Sequence, residues 1–104
     1  MRILWYMLKK EGKVATKKVK FTQDGINQLP NDKPVLYRIE TPSGQPNYVG
    51  TAKRGRVQER IGEHLGQIPG ASVRIEQFGN IKEAQQKEER VIKINQPKYN
   101  KQGK

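Results

Sequence analysis

Tyr37 and Tyr48 each stand in a short β-prone run, Val35-Leu36-Tyr37 and Tyr48-Val49-Gly50, and Arg60, His64 and Glu88 follow in that order. The stretch Thr41-Pro42-Ser43-Gly44-Gln45-Pro46 between the runs reads as a turn, so the strands fold back and bring the two phenols close together. Phenols and an imidazole can exchange protons, a guanidinium can clamp phosphate oxygens, and a lone carboxylate can ligate a hard cation. On a cationic chain these groups point to phosphodiester chemistry. Singly, each has a plainer explanation. Strand tyrosines usually pack in or beside the core, a solitary histidine is usually a polar surface residue, and helix arginines are common in basic proteins. The agreement of five positions carries the chemical reading.

The charge balance agrees with it. The 104 residues hold 21 Lys and Arg against 10 Asp and Glu, a formal net charge of +11. Such an excess repels itself on a small folded body, and a polyanionic partner offsets the repulsion. Nucleic acid is the expected partner. A membrane surface would call for a basic amphipathic helix, whereas the lysines here are spread over several segments. The apolar start Ile3–Leu8 is too short for a membrane span or an ordinary signal core and runs straight into Lys9 and Lys10. The chain has no cysteine, which removes disulfides and thiolate metal sites and suits a reducing compartment. The expectation is a small cytoplasmic protein with no membrane role, whose 33% hydrophobic content supports a modest single core.

These side chains need elements to position them. Val35–Glu40 and Asn47–Thr51 read as strands, and Val73–Phe78 as a third, alternating Val73 and Ile75 with Arg74 and Glu76. A helix is expected over Arg56–Leu65, ending near Gly66 and Pro69, and a second over Ile81–Asn95, beyond which Pro97 forbids continuation. Upstream, Ile3–Leu8 and Val14–Phe21 read as strands around a turn at Lys9–Gly12, and Thr22–Leu29 as a short helical turn. The expected organisation is an N-terminal β-hairpin extension over 1–28, a body over 29–100 and a loose tail over 101–104. The fold class is α/β (α+β), with a small, mostly antiparallel three-stranded sheet flanked by helices.

Helical spacing then sorts the side chains. At 100° per residue, Ile81, Ala84, Val91, Ile92 and Asn95 share a stripe with Glu88 at its centre, while Lys87, Glu89 and Arg90 point elsewhere. A carboxylate centred on an apolar face needs a cation, a metal or hydrogen-bond donors; otherwise it is a structural ion pair or a wet stripe edge. On the first helix Val57, Ile61 and Leu65 form the buried row. Arg60 and His64, four apart, project together from its flank, with Arg56 extending the cationic edge.

The ordered set resembles the GIY-YIG nuclease family. Val35-Leu36-Tyr37 is similar to the first family triad, with Val35 where the family usually has glycine, and Tyr48-Val49-Gly50 to the second. Arg60-Ile61 with His64 resembles the family's arginine helix, with Arg56 and Arg54 as rival positions for the arginine. Glu88 through Lys93, followed by Gln96-Pro97-Lys98-Tyr99-Asn100, is similar to the glutamate helix and its Pro-x-Tyr-Asn ending, and this register puts the metal-binding acid on Glu88. Leu29-Pro30 and Pro34 resemble the lead-in of the incision module of nucleotide-excision-repair nucleases. The resemblance runs from Leu29 to Asn100; residues 1–28 have no counterpart in it.

It implies a GIY-YIG-like fold and a divalent-metal-dependent endonuclease acting on DNA more readily than RNA, with a place in DNA repair. Glu88 would hold Mg²⁺ or Mn²⁺, Arg60 would stabilise the phosphoryl transition state, and Tyr37 would be the general base. Tyr48 and His64 would orient or shuttle the proton, with His64 the alternative base because its unperturbed pKa is ~6.5. Lys53, Arg54 and Arg56 would grip flanking phosphates, Asn100 would anchor the C-terminal turn beside the nucleic acid, and a targeting protein would supply specificity. The alternatives are a non-catalytic nucleic-acid-binding module of the same fold and a small basic RNA-associated protein.

Overall fold

The computed structural model describes residues 15–100. Over that span the chain runs β1 (Ala15–Lys20), α1 (Gln23–Ile26), β2 (Val35–Glu40), β3 (Pro46–Ala52), α2 (Val57–Gly62), β4 (Ser72–Gln77) and α3 (Ile81–Asn95). The four strands form one antiparallel sheet in the order β1-β4-β2-β3, so the expected three-stranded sheet is one strand short. The added strand is β1, paired with β4 from Ala15↔Gln77 to Lys20↔Ser72. Residues that read as the second arm of an N-terminal hairpin are thus an edge of the main sheet. Phe21, Ile26 and Leu29 enter the same core as the later strands. The expected strand Ile3–Leu8, its turn, Trp5 and the tail 101–104 lie outside the described residues.

Sheet alternation sends neighbouring residues to opposite faces. Val35, Tyr37 and Ile39 of β2 join Val73 and Ile75 of β4 on the face covered by α1 and α2, where Ile26, Leu29, Val57 and Ile61 complete the larger core. Leu36 and Val49 face the other way and pack against Val91 of α3, with Phe78 and Ile92 alongside. On that second face α3 crosses β3 and β2. Beyond it the sheet is charged: Glu40 meets Arg74 at 3.2 Å and Lys18 at 3.8 Å, and Glu76 meets Lys87 at 2.9 Å and Arg38 at 3.8 Å. Glu40 is 4% exposed and so depends on these cations.

Local chemistry sets the helix ends. The Thr22 hydroxyl accepts from Gly25 N–H at 3.1 Å to open α1, and the Asn80 side chain accepts from Glu83 N–H at 2.9 Å to open α3. α2 ends at Gly62 rather than at Leu65, the expected end. Two glycines in the next turn, Gly62 and the left-handed Gly66 at φ 83°, favour the open turns that carry the chain from 63 onward. At the far end of α3, Gln96 takes a left-handed φ of 46° and donates to Ile92 C=O, and Pro97 follows, buried.

Candidate active site

β3 is an edge of the sheet, and the sequence-selected residues gather around it. Tyr37 lies on the adjacent strand, directly opposite Gly50 in the β2–β3 register, and its ring is fully buried on the face shared with α2. Its hydroxyl lies 2.8 Å from His64 Nε2. Tyr48 closes the group, its ring centroid 4.6 Å from that of His64 and 6.1 Å from that of Tyr37. His64 reaches this place because α2 stops early. The turn after Gly62, with His64 N–H donating to Ile61 C=O at 3.1 Å, swings the imidazole over the tyrosines.

The acid arrives from the other face. α3 puts Glu88 on the turn between its buried residues Ala84 and Val91, and Glu88 itself is half-buried. Alternation from Val49 turns Thr51 toward α3, on the side of the sheet where Glu88 lies. Burial pushes the Glu88 carboxyl above the ordinary carboxylate range and the neighbouring Glu89 adds to the rise, while Thr51 and Arg60 pull it back. Among the described residues Glu88 has no ion-pair partner.

Arg60 links the two halves. Its guanidinium is felt by Tyr37, His64 and Glu88 alike, which Arg54 and Arg56 are not. Arg60 and Arg56 instead share a cleft of about 270 Å³ with Thr51, Ala52, Lys53, Ile81 and Gln85. Each arginine is held by a carboxylate one turn on, Arg56 by Glu59 at 3.1 Å and Arg60 by Glu63 at 3.4 Å. These pairs are exposed, so an incoming anion displaces them at little cost. Lys53 and Arg56 therefore line the cleft, whereas Arg54 does not.

The proton-bearing groups are tuned by the same surroundings. Burial drives the Tyr37 hydroxyl far above the ordinary phenol range; Tyr48 raises it further, Arg60 opposes the rise, and Glu88 and Glu63 add to it. Burial also lowers the His64 imidazole below the usual histidine range and Arg60 lowers it further, against a smaller upward pull from Glu63. The pair at neutral pH is a protonated phenol against a neutral imidazole.

Asn100 is half-buried against the edge of β3. Its amide spans the β3 edge at Val49, accepting from Val49 N–H at 2.8 Å and donating to Val49 C=O at 2.9 Å, while Tyr99 N–H donates to Asn47 C=O. It holds the strand that carries Tyr48, Gly50 and Thr51. Spacing missed Thr51 and Gln85. Alternation from Val49 signals Thr51, and Gln85 lies one helical turn before Glu88. On the stripe around Glu88, Ala84 and Val91 are buried and Ile81 and Ile92 half-buried, whereas Asn95 is exposed.

Among the described residues no three His, Cys, Asp or Glu side chains converge on a metal position. What the site offers is one carboxylate without an ion-pair partner, with a hydroxyl beside it. That fits a hard cation keeping most of its water shell, such as Mg²⁺ or Mn²⁺, and not a fully protein-ligated ion. Compared with known proteins, the chain matches no family model, no curated protein and no solved structure.

Proposed function

We propose that this protein is a phosphodiester hydrolase, an endonuclease of GIY-YIG type acting on DNA, with its site folded around the edge of β3. The observation that carries the reading is the 2.8 Å contact between Tyr37 and His64, with Arg60 acting electrostatically on that pair and on Glu88 together. The five residues that the sequence resemblance selects stand on four separate elements and a turn, and three of them, Tyr37, Tyr48 and His64, pack against one another. The net charge of +11 supports a polyanionic substrate.

The raised Tyr37 hydroxyl shapes the mechanism. A phenolate is not available at working pH, so Tyr37 removes a proton from water only as its own proton passes to another base. Neutral His64, accepting through Nε2, is that base. Water gives its proton to the Tyr37 oxygen while the Tyr37 proton moves to His64; the resulting hydroxide attacks phosphorus as the bond to the leaving oxygen breaks, and that oxygen takes up a proton from solvent water. Tyr48 packs against the imidazole and fixes its tilt. Arg60 leaves Glu63 to bind the non-bridging oxygens as charge builds on them. Lys53 and Arg56 hold a neighbouring phosphate in the cleft. Glu88 with Thr51 would hold a divalent cation, which supplies charge stabilisation at the phosphoryl group and the leaving oxygen.

Purified protein incubated with linear, nicked and branched DNA, with matching RNA, in Mg²⁺ or Mn²⁺ tests this, with Arg60→Ala beside the wild type. Strand cleavage by the wild type, lost in the variant, is expected. Equal cleavage by both proteins, or none with any substrate and either metal, would overturn the proposal.

A further inference from the structure

Tyr37 belongs to an inner strand, yet its hydroxyl works at the edge of the sheet. To get there the ring must pass over β3, the strand between it and the site. It passes at Gly50. A Cβ at position 50 would stand 2.6 Å from the Tyr37 hydroxyl oxygen, 2.7 Å from Cζ and 3.0 Å from Cε2 of Tyr48. Carbon atoms do not approach that closely, so any side chain there occupies the place of the phenol tip.

The backbone offers no other reason for glycine. Among the described residues the glycines with positive φ are Gly44, Gly55 and Gly66; Gly50 is an ordinary strand residue within β3. A glycine in the middle of a strand normally weakens it, because it orders a flexible backbone and packs nothing. Space, not torsion, fixes the residue. We infer that Gly50 is a positioning residue: its missing side chain is the slot that seats the Tyr37 hydroxyl against His64.

The slot is closed on three sides. The β3 backbone lies beneath it, Tyr48 walls one flank through the 3.0 Å approach, and His64 receives the hydroxyl at its mouth. With Tyr37 fully buried, the ring has no free space into which to tilt. Adding one methyl group at position 50 therefore pushes the hydroxyl off the imidazole rather than leaving it in place. The placement holds whatever the protein's activity; its catalytic consequence rests on the endonuclease reading.

The test crosses Gly50→Ala with Tyr37→Leu, which removes both the hydroxyl and Cζ. The His64 ring nitrogens are followed by NMR titration and the unfolding equilibrium by denaturant. In the Tyr37 background, Gly50→Ala should raise the unfolding constant tenfold or more and move the His64 nitrogen shifts to those of Tyr37→Leu. In the Tyr37→Leu background the same change should alter the unfolding constant less than threefold. If Gly50→Ala fails to fold alone but folds with Tyr37→Leu, the slot is supported. Equal damage in both backgrounds, or His64 shifts unmoved by Gly50→Ala, would overturn it. On cleavage, Gly50→Ala should lower kcat about a hundredfold with KM little changed. A wild type without cleavage but with the expected NMR coupling would sink the enzyme reading and leave the slot standing.

Discussion

Tyr37 and Glu88 lie on opposite sides of the sheet, Tyr37 in the core under α2 and Glu88 on α3 against the second face, yet Glu88 is among the charges that raise the Tyr37 hydroxyl. Tyr37 is fully buried, whereas Glu88 is half-buried. Placing them on two sides of one strand gives each its own surroundings, with Arg60 between them.

Glu88→Gln keeps the size of the side chain and removes its charge. Cleavage should fall at least a hundredfold while affinity for DNA stays within about threefold. Parallel gel-shift and cleavage measurements check this, and wild-type cutting by the variant would remove Glu88 from metal binding.

Arg60→Ala should lower cleavage by about a hundred- to a thousandfold. It should also raise the His64 pKa, because Arg60 is one of the two influences depressing it. An NMR titration reads the second effect without any substrate, and a pKa unmoved or lower would place Arg60 away from His64.

The pH dependence follows from His64. Its folded pKa lies below the ordinary value of ~6.5, so on acidification the unfolded chain takes up the proton first. This group's contribution to stability is whole above the ordinary value, falls as pH drops toward the folded pKa, and is level below it. Protonated His64 can no longer accept from Tyr37, so the acid limb of kcat/KM should have its midpoint below 6.5. A midpoint above that value would show that His64 is not the acceptor.

Asn100→Ala leaves Val49 N–H and C=O at the strand edge without their partner. Two hydrogen bonds are lost and one side chain is truncated, for a cost of about 1–3 kcal/mol. Urea unfolding would measure it, and a change below about 0.3 kcal/mol would mean water replaces the amide freely.

Lys53→Ala and Arg56→Ala should each reduce the slope of log affinity against log salt by about one, reflecting one lost phosphate contact apiece. Arg54→Ala, outside the cleft, should leave the slope nearly unchanged. Fluorescence anisotropy at several salt concentrations separates the three.

Much of this was legible because it depends on local spacing. Pro97 and the apolar stripe delimited α3 as Ile81–Asn95, and the β-prone run Val35–Glu40 marked β2. The five chemical positions could be selected before their distances were known. Pairing was less legible, because the lysine-rich run containing β1 does not say whether its partner is the preceding segment or β4. The run Val35–Glu40 gives no sign of the ion pairs that Glu40 and Arg38 make on the sheet, since their partners come from residues far along the chain. Gly50 carried no sign of its role. A space left empty for another residue is visible only once that residue's side chain has been placed.

Asn100 gives Val49 the two hydrogen bonds that a fifth strand would otherwise supply. A chain cut short after α3 would therefore expose sticky peptide groups along β3. Such a fragment should self-associate through β3, the exposed edge of one copy pairing with that of another.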